Sequence, residues 1–466
     1  MNARFEHERE RARRAGQEHV LRFWRELDEP ARARLLAQVE RLDYDEVSRL
    51  GGLMRARASE RVPDLQAPVV VDPRRSMEPG VLERARAAGR ALLGQGRVGF
   101  VLVAGGQASR LGYDGPKGMF PVMPLSGRTL FEVHARRLLA VSRRHDVRVP
   151  WYVMTSPAND AQTRAFFAER AHFGLDPQDV VFFSQDTLPA LDDEGRILLA
   201  ARDQIFLAPN GHGGLLLALA SSGALADMRR RGLETISYFQ VDNPLALPAD
   251  ELFLGLHAEQ GAQMSSKVVS KRSAAEKVGV LGRIDGRMGC IEYSDLPAEL
   301  RERRDETGRL VFDAGNIALH ALDVGFVEQL TRGGLRLPWH LARKKMTVLD
   351  EVGQPVERWG TKFEAFVFDA LGEARSTVTL SVDRASEFSP VKNREGEDSP
   401  ASTRRNLCAL HADWAHRAGR KTPPAEPGTP ARVEIDPLLA QSAEEFAALG
   451  PLHPREVDGG HLYERV

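Results

Sequence analysis

At 466 residues, with 42% hydrophobic and 28% charged residues, the chain has the length and balance of a globular protein of two or three domains. A formal net charge of -1 supplies no overall field for a polyanion, which argues against nucleic acid and leaves any phosphate chemistry to a local site. The two cysteines, Cys290 and Cys408, lack CxxC or Cys/His spacing, so neither a disulfide framework nor a structural zinc site is expected, and a reducing cytoplasm fits. The charged N-terminus has no apolar core and no run is long enough to span a bilayer, so a soluble protein without a membrane partner is expected.

Residues 1–94 alternate Arg, Glu and Ala with Leu, Phe and Trp at helical spacing, as in "HVLRFWRELDEPARARLLAQVERL", where Pro30 restarts a helix after Asp28. Interleaved acids make this an ion-paired, solvated helix face rather than a polyanion site. From 95 to 395, "VGFVLVAG", "VPWYVMTS", "DVVFFSQD" and "TISYFQVDN" read as strands. Between them "RTLFEVHARRLLAVSRRH", "NDAQTRAFFAERAHFG" and "GGLLLALASSGALADMRRRG" read as helices. That alternation predicts an α/β, Rossmann-like domain with a mixed, mostly parallel sheet, and ligands beyond the carboxyl ends of its strands. The polar clusters "GGQASRLG", "SQD" and "VDNPL" each follow a strand. Residues 396–466, rich in Pro and Gly ("KTPPAEPGTPARVEIDPLL"), read as a helix and a small β-rich region.

The stretch "VGFVLVAGGQASRLGYDGPKGMFPV" places Gly105, Gly106 and Gly112 after a strand, with Arg110 and Lys117 bracketing the loop. The spacing fails the dinucleotide-binding G-x-G-x-x-G, and it fails the Walker A loop because Gly106 and Gly112 are one residue too far apart and Tyr113 stands where lysine is needed. Glycines serving only a tight turn would leave the two cations and Pro116 unexplained; an anion is the natural ligand.

The segment "LVAGGQASRLGYDGPKG" resembles the G-G-x-G-T-R-L-G followed by P-K of uridylyltransferases that make UDP-sugars, departing at Ala108 and Ser109. In order along the chain, "FFSQDTLPA", "APNGHGGLLLAL", "YFQVDNPL", "VGVLGRIDGRMGCIEYSDL", "FDAGNIALH", "TKFEAFVFDAL" and "EFSPVKNREGEDSPASTRRNL" extend the likeness. Together they resemble the eukaryotic-type UDP-N-acetylhexosamine pyrophosphorylase family over nearly the whole chain, from about residue 20. The resemblance implies a nucleotidyltransferase that takes UTP and a sugar 1-phosphate, with Mg²⁺, to a UDP-sugar and pyrophosphate. A sugar phosphate is already ionised at neutral pH and needs no general base, so catalysis reduces to in-line positioning and neutralising charge.

Carried onto this chain, the resemblance makes Arg110, Lys117 and Lys392 the catalytic cations: Arg110 on the β- and γ-phosphates, Lys117 at the α-phosphorus, Lys392 on the sugar phosphate. Ala104, Gly105, Gly106, Gln185, Pro209, Gly211 and His212 fall at nucleotide-binding positions, with Gln185 on the uracil edge. Asp242 falls at the metal position beside the sugar, and Gly279, Glu292, Asn316, Phe366 and Phe368 at hexosamine-binding positions. Each has a plainer reading: a solvated lysine for Lys392, an Asx turn for Asp242, a cap or turn for Gln185, core for the "FVF" phenylalanines. At His212 the chain departs from the family. The acetylhexosamine enzymes carry Asn there, whereas "GHG" is what UDP-glucose and broad-specificity UDP-sugar enzymes carry, so plain hexose 1-phosphates stay open as substrates. A non-catalytic nucleotide-sugar binder is disfavoured because it would not need all four charged groups, and a nicotinamide oxidoreductase by the glycine spacing.

Overall fold

The computed structural model describes residues 2–56, 63–75 and 77–465. The strands read from the sequence form, among the described residues, one half of a ten-stranded sheet. Val98–Val103 lies between Trp151–Thr155 and Thr235–Gln240 and is parallel to both, and Val180–Ser184 adds in parallel outside Trp151–Thr155. These are continuous apolar runs buried on both faces, as a helix-covered parallel sheet requires. The crossover from Val98–Val103 runs through the helix Leu130–His145, opened by a capping box of Thr129 with Glu132 and closed by Arg143, Arg144 and His145.

The chain leaves Val98–Val103 towards one side of the sheet and returns to its other side at Thr235–Gln240, so the strand order reverses there. A crevice at such a reversal, at the carboxyl ends of the strands, is where open α/β sheets bind ligands. The other half of the sheet is largely antiparallel. Ala314–Asp323 pairs antiparallel with Thr235–Gln240, Met264–Ser270 and Val280–Ile284, and only Thr377–Ser381 returns in parallel, on Met264–Ser270. One of its pairs is set locally: Asp285 and Gly286, with φ of 50° and 81°, make a two-residue turn that folds Arg287–Ile291 straight back on Val280–Ile284.

Two helices are shorter than the periodicity suggests. The run from Gly214 breaks into Gly214–Ser221 and Ala224–Arg230 at Gly223, whose φ is 83°. The helix Asp160–Glu169 gives way to a turn in which Ala171, His172 and Phe173 all have positive φ, while the Phe173 ring packs 4.9 Å from that of Phe167. At the N-terminus the helices Asn2–Arg14, Glu29–Val39 and Tyr44–Arg55 form, with Asp28 capping the second and a proline in its first turn. Towards the C-terminus lie the helix Pro400–Arg417 and a small sheet of Val433–Ile435, Arg455–Val457 and Gly460–Tyr463.

By contacts the chain falls into two compact units, each discontinuous in sequence. The smaller draws on Met1–Val62, Gln185–Leu215 and Arg336–Val367, the larger on Pro63–Ser184, Leu216–Leu335 and Phe368–Val466. The smaller unit has its own core, in which Val20, Leu35, Leu36 and Leu50 meet Leu191, Leu199 and Phe363. The larger is built on the sheet, around Phe100, Leu102, Phe131, Trp151, Phe239 and Phe253. Among the described residues no helix is long and apolar enough to cross a membrane.

Candidate active site

In the larger unit the glycine loop leaves Val98–Val103 and is held down through its carbonyls. Asn159 Nδ2 donates to the Ala104 carbonyl at 2.9 Å, Ser156 Oγ to that of Gly105 at 2.8 Å, and the Lys117 N–H to that of Gly106 at 3.0 Å. Across a trans peptide the N–H lies opposite the preceding carbonyl, so the N–H groups of Gly105, Gly106 and Gln107 point away from these anchors. Gly106 and Gln107 line a cavity of about 1190 Å³. A Cβ on Gly106 would meet no atom within 4 Å, whereas one on Gly118 would lie 2.2 Å from the Phe131 ring. Folding therefore demands glycine at 118 but not at 106, where the missing side chain leaves room only for something in the cavity.

The same cavity is lined by Arg110, Lys117, Asp242 and Lys392, which the chain brings from three distant segments. Lys117 sits on a single turn after Pro116, and its Nζ lies 3.2 Å from Asp242 Oδ2, with the two side chains 17% and 13% exposed. Asp242 follows directly on the strand Thr235–Gln240. Its neighbour Asn243 takes the structural work of the turn: Oδ1 accepts from the N–H groups of Leu245 and Ser389, at 3.3 and 3.0 Å, and Nδ2 donates to the Glu387 carbonyl at 2.7 Å. The Asp242 carbonyl accepts from Val391 N–H at 2.8 Å, which draws Lys392 in beside it. Lys392 stands 5.7 Å from the Phe388 ring centre, and its loop is closed by its own N–H and that of Asn393 donating to the Asp398 carbonyl. Arg110 is exposed and makes no ion pair among the described residues.

Sequence reasoning missed several participants. Arg272 and Lys277 line the cavity, and Arg272 pairs with Glu397 at 3.5 Å. Ser156 and Asn159, which anchor the glycine loop, follow the strand next to it, and that shared sheet end was the available signal. Of the other expected residues in this unit, Ala104, Gly105, Gly279, Glu292, Asn316 and Phe368 do not line the cavity; Val278 and Tyr293, next in chain to two of them, do.

Gly279, Cys290, Glu292 and Asn316 nonetheless cluster. A Cβ on Gly279 would lie 2.9 Å from Cys290 Sγ and 3.5 Å from Glu292 Oε1. Asn316 N–H donates to the Gly279 carbonyl at 2.9 Å, and its Oδ1 accepts from Ala318 N–H at 2.9 Å where the strand bulges and Ala318 takes a φ of 55°. The bulge consumes the Asn316 oxygen, so Nδ2, 3.8 Å from Cys290 Sγ, is the group it presents. Burial, reinforced by Glu292, pushes the Cys290 thiol up and keeps it neutral.

A different set of expected residues meets in the smaller unit. Gln185 Nε2 donates to the Gly211 carbonyl at 2.8 Å and approaches Asn210 Oδ1 at 3.4 Å. A Cβ on Gly211, whose φ is 80°, would lie 2.3 Å from the Ala365 carbonyl oxygen, so only glycine lets these chains touch. Pro209 ends a short strand paired with Thr187–Pro189. His212 Nδ1 accepts from Val367 N–H at 3.1 Å, which leaves the proton on Nε2. Phe366 stacks on both His212, at 5.2 Å, and His340, at 4.4 Å. Burial, with His340 adding to it, lowers His212 to about 4, so its imidazole is uncharged at neutral pH.

Residues 62–422 match the family described as UTP–glucose-1-phosphate uridylyltransferase. The chain is 39% identical to UDP-N-acetylhexosamine pyrophosphorylase-like protein 1 of Homo sapiens, over 94% of this chain and 93% of that one. The chain belongs to the UTP–glucose-1-phosphate uridylyltransferase family. It is also 35% identical to UDP-N-acetylglucosamine diphosphorylase 2 of Arabidopsis thaliana, over 94% and 90%. Among solved structures it resembles the uridine diphosphate N-acetylglucosamine pyrophosphorylase of Trypanosoma brucei in complex with an inhibitor, with a TM-score of 0.83 at 26% identity, over 100% of this chain and 99% of that one. As a member of this family the chain is a uridylyltransferase acting on UTP and a sugar 1-phosphate. The α/β architecture and the recognition of the UDP-sugar pyrophosphorylase family from the sequence are both borne out.

Proposed function

We propose that the chain makes a UDP-N-acetylhexosamine from UTP and N-acetylglucosamine or N-acetylgalactosamine 1-phosphate, using Mg²⁺, in the cytoplasm. The observation that carries this reading is the meeting of Lys117, Asp242 and Lys392 on one cavity beside a glycine loop whose amides face away from its anchors. A phosphate oxygen of the sugar 1-phosphate attacks the α-phosphorus, and the bond from that phosphorus to the bridging oxygen breaks as pyrophosphate leaves with the electron pair. No proton needs to be removed, so the cations of the cavity suffice without a general base. Gly105, Gly106 and Gln107 donate N–H groups to the nucleotide phosphates. Arg110 grips two oxygens of the outgoing pyrophosphate, Lys117 stabilises charge growing at the α-phosphoryl group, and Lys392 holds the attacking sugar phosphate.

Among the described residues no three His, Cys, Asp or Glu side chains gather to hold a metal. That suits Mg²⁺, which takes one or two carboxylates and fills the rest of its shell with water and phosphate oxygens. The Asp242 carboxylate, on the cavity wall and spared the turn's hydrogen bonds by Asn243, is the ligand this chain offers. When bound, the ion would neutralise the triphosphate and orient its α-phosphate.

For the sugar, Asn316 Nδ2 serves as donor to the acetyl carbonyl, with Glu292 taking a hydroxyl and Gly279 letting Cys290 and Glu292 pack closely beside it. For the base, Gln185 and the Pro209–His212 turn, with Phe366 behind it, supply the amide and uncharged surface that uracil and ribose need. Phe368 stays with the sugar set as a wall residue. The second reading, plain hexose 1-phosphates, rests on His212 and leads to an expectation of relaxed selectivity. Pyrophosphate release from UTP, measured against N-acetylglucosamine, N-acetylgalactosamine, glucose and galactose 1-phosphates, tests both. Release that is independent of any sugar phosphate overturns the uridylyl-transfer reading. A preference for plain hexoses beyond about tenfold, or about 1.4 kcal/mol, overturns the acetyl role of Asn316.

A further inference from the structure

Glu387, next in chain to the cavity-lining Phe388, belongs to a group of buried charges to which the reaction as described gives no role. Lys267 is fully buried, and its Nζ lies 2.6 Å from Asp250 Oδ2 and 2.6 Å from Glu387 Oε2. The ring of Phe253 lies 5.6 Å away. Arg137, also buried, donates to the Pro244 carbonyl at 3.0 Å. Burial raises the Glu387 carboxyl and lowers Arg137 to about 10, while the two carboxylates hold Lys267 above the ordinary lysine value against its own burial. A buried ion pair is poor evidence of stabilisation, because apolar residues of the same volume do as well or better. What charges fix better than apolar contacts is position.

The three partners come from elements of different kinds. Lys267 belongs to the sheet strand Met264–Ser270, which is paired on both edges. Asp250 caps the helix Glu251–Glu259, accepting from Leu252 N–H at 2.9 Å. Glu387 ends the one-turn helix Arg384–Glu387, and the segment that follows to Lys392 is clamped at three successive points: the Glu387 carbonyl to Asn243 Nδ2, Ser389 N–H to Asn243 Oδ1, and Val391 N–H to the Asp242 carbonyl. Glu387 thus ties the loop to the sheet from within, beside Arg384, whose guanidinium donates to the Ser270 carbonyl at 3.2 Å, and the clamps pass its placement on towards Asp242 and Lys392.

We propose that Glu387 and Lys267 are positioning residues for uridylyl transfer: their buried ion pair sets the register in which Lys392 faces Asp242 and Lys117. This rests on the reading of Lys392 as the cation for the sugar phosphate. Glu387→Ala leaves Lys267 paired with Asp250, and Arg137, which loses the Glu387 charge, keeps that of Glu445. The variant is expected to raise the KM for sugar 1-phosphate and lower kcat by about tenfold each, with UTP affinity measured by calorimetry within about twofold. Glu387→Gln, whose amide oxygen still accepts from Lys267, should recover most of the loss.

The deciding measurement is the cycle of Glu387→Ala, Lys392→Ala and both together. If Glu387 acts through Lys392, the double variant loses no more than Lys392→Ala alone. Additive losses, or unchanged sugar-phosphate kinetics with only a lower unfolding temperature, overturn the proposal. Should Glu387→Ala not fold, the same cycle is run with Glu387→Met, which removes the acceptor for Lys267 while filling its space, and judged by the same rule. If Lys392→Ala alone changes nothing, it is the sugar-phosphate reading of Lys392 that fails.

Discussion

The two units hold two kinds of polar site. In the larger, Lys117, Asp242, Lys392 and Arg110 are charged groups around an open cavity. In the smaller, Gln185, Asn210, the Gly211 backbone, His212 and Phe366 form an uncharged cluster in which the imidazole is held neutral by burial. Charge neutralisation contributes most when charge moves during the reaction, whereas neutral amide and ring contacts are the same before and after it. Substitutions in the charged set should therefore act on turnover, and those in the uncharged set on binding and selectivity.

The largest break in that contrast is expected at Lys117. Lys117→Ala should lower kcat by on the order of 10² to 10³ while UTP affinity falls much less, because the charge it answers exists fully only in the transition state. Stopped-time pyrophosphate release alongside calorimetric UTP binding separates the two. Full turnover with only a raised KM would move Lys117 to the binding set. Arg110→Lys should also lose activity, since a point charge cannot reproduce a forked contact to two phosphate oxygens.

Next in size is the metal. Asp242→Asn replaces a hard anionic ligand by a neutral amide and should raise the Mg²⁺ concentration for half-maximal activity by about tenfold or more. The substitution also frees Lys117 from its ion pair, so UTP binding without metal should not weaken. An unchanged metal titration would take Asp242 out of the site.

Much of the charged set was legible in the sequence, and the reason is physical. A phosphate site at the end of a parallel strand needs close backbone approach and cations within a few residues, so "AGGQASRLGYDGPKG" carries its own meaning. Lys392 and Asn316 were not legible that way. A lysine in a loop and an asparagine in a strand take their places from backbone geometry, the long-range Val391 to Asp242 bond in one case and the bulge at Ala318 in the other. Only the family resemblance pointed to them. The parallel half of the sheet was legible from its apolar runs, while the antiparallel half depended on a two-residue turn at Asp285–Gly286 and on long-range pairing. Lys267 and Glu387 gave no local signal, because burial of a charge is a property of the whole fold.

Acid should separate the units less sharply. Burial lowers His134, His257 and His212 to about 4 and His411 to about 3. Each is depressed below its unfolded value, so the unfolded chain binds more protons across this range, and stability rises with pH there. The contribution is fully present above about 6.5 and is lost as pH falls through about 4. Denaturant unfolding between pH 7 and pH 4 should show that decline. Three of the four histidines belong to the larger unit, so His212→Asn should remove only a minor part of it, and a flat profile would contradict the buried, neutral state of all four.

The glycine loop gives a smaller effect of a cleaner kind. Gly106→Ala introduces a methyl that meets no protein atom within 4 Å, so unfolding should shift by no more than about 0.5 kcal/mol. If the nucleotide backbone lies against Gly106, the KM for UTP rises several-fold all the same. Gly118→Ala is the control, because its methyl would strike the Phe131 ring and should destabilise the protein without a specific effect on UTP. Equal kinetics in Gly106→Ala and the parent would place the nucleotide away from this loop.

The smallest expected change lies in the uncharged set, at His212. Its Nδ1 accepts from Val367 N–H, and the Oδ1 of an asparagine can take the same bond, so His212→Asn should keep the turn and lose mainly the stack on Phe366. Because no charge is gained or lost, kcat for the preferred sugar should stay within about twofold. If this position helps to choose the sugar, the ratio of kcat/KM for N-acetylglucosamine 1-phosphate over glucose 1-phosphate should rise by about three- to tenfold, or about 1 kcal/mol, towards the acetylated substrate. A ratio that does not move would mean that selectivity is set elsewhere, with Asn316 and the Gly279 cluster as the remaining determinants. A large fall in kcat would blur the division between a set that drives turnover and a set that binds, since it would give an uncharged imidazole a part in the chemistry.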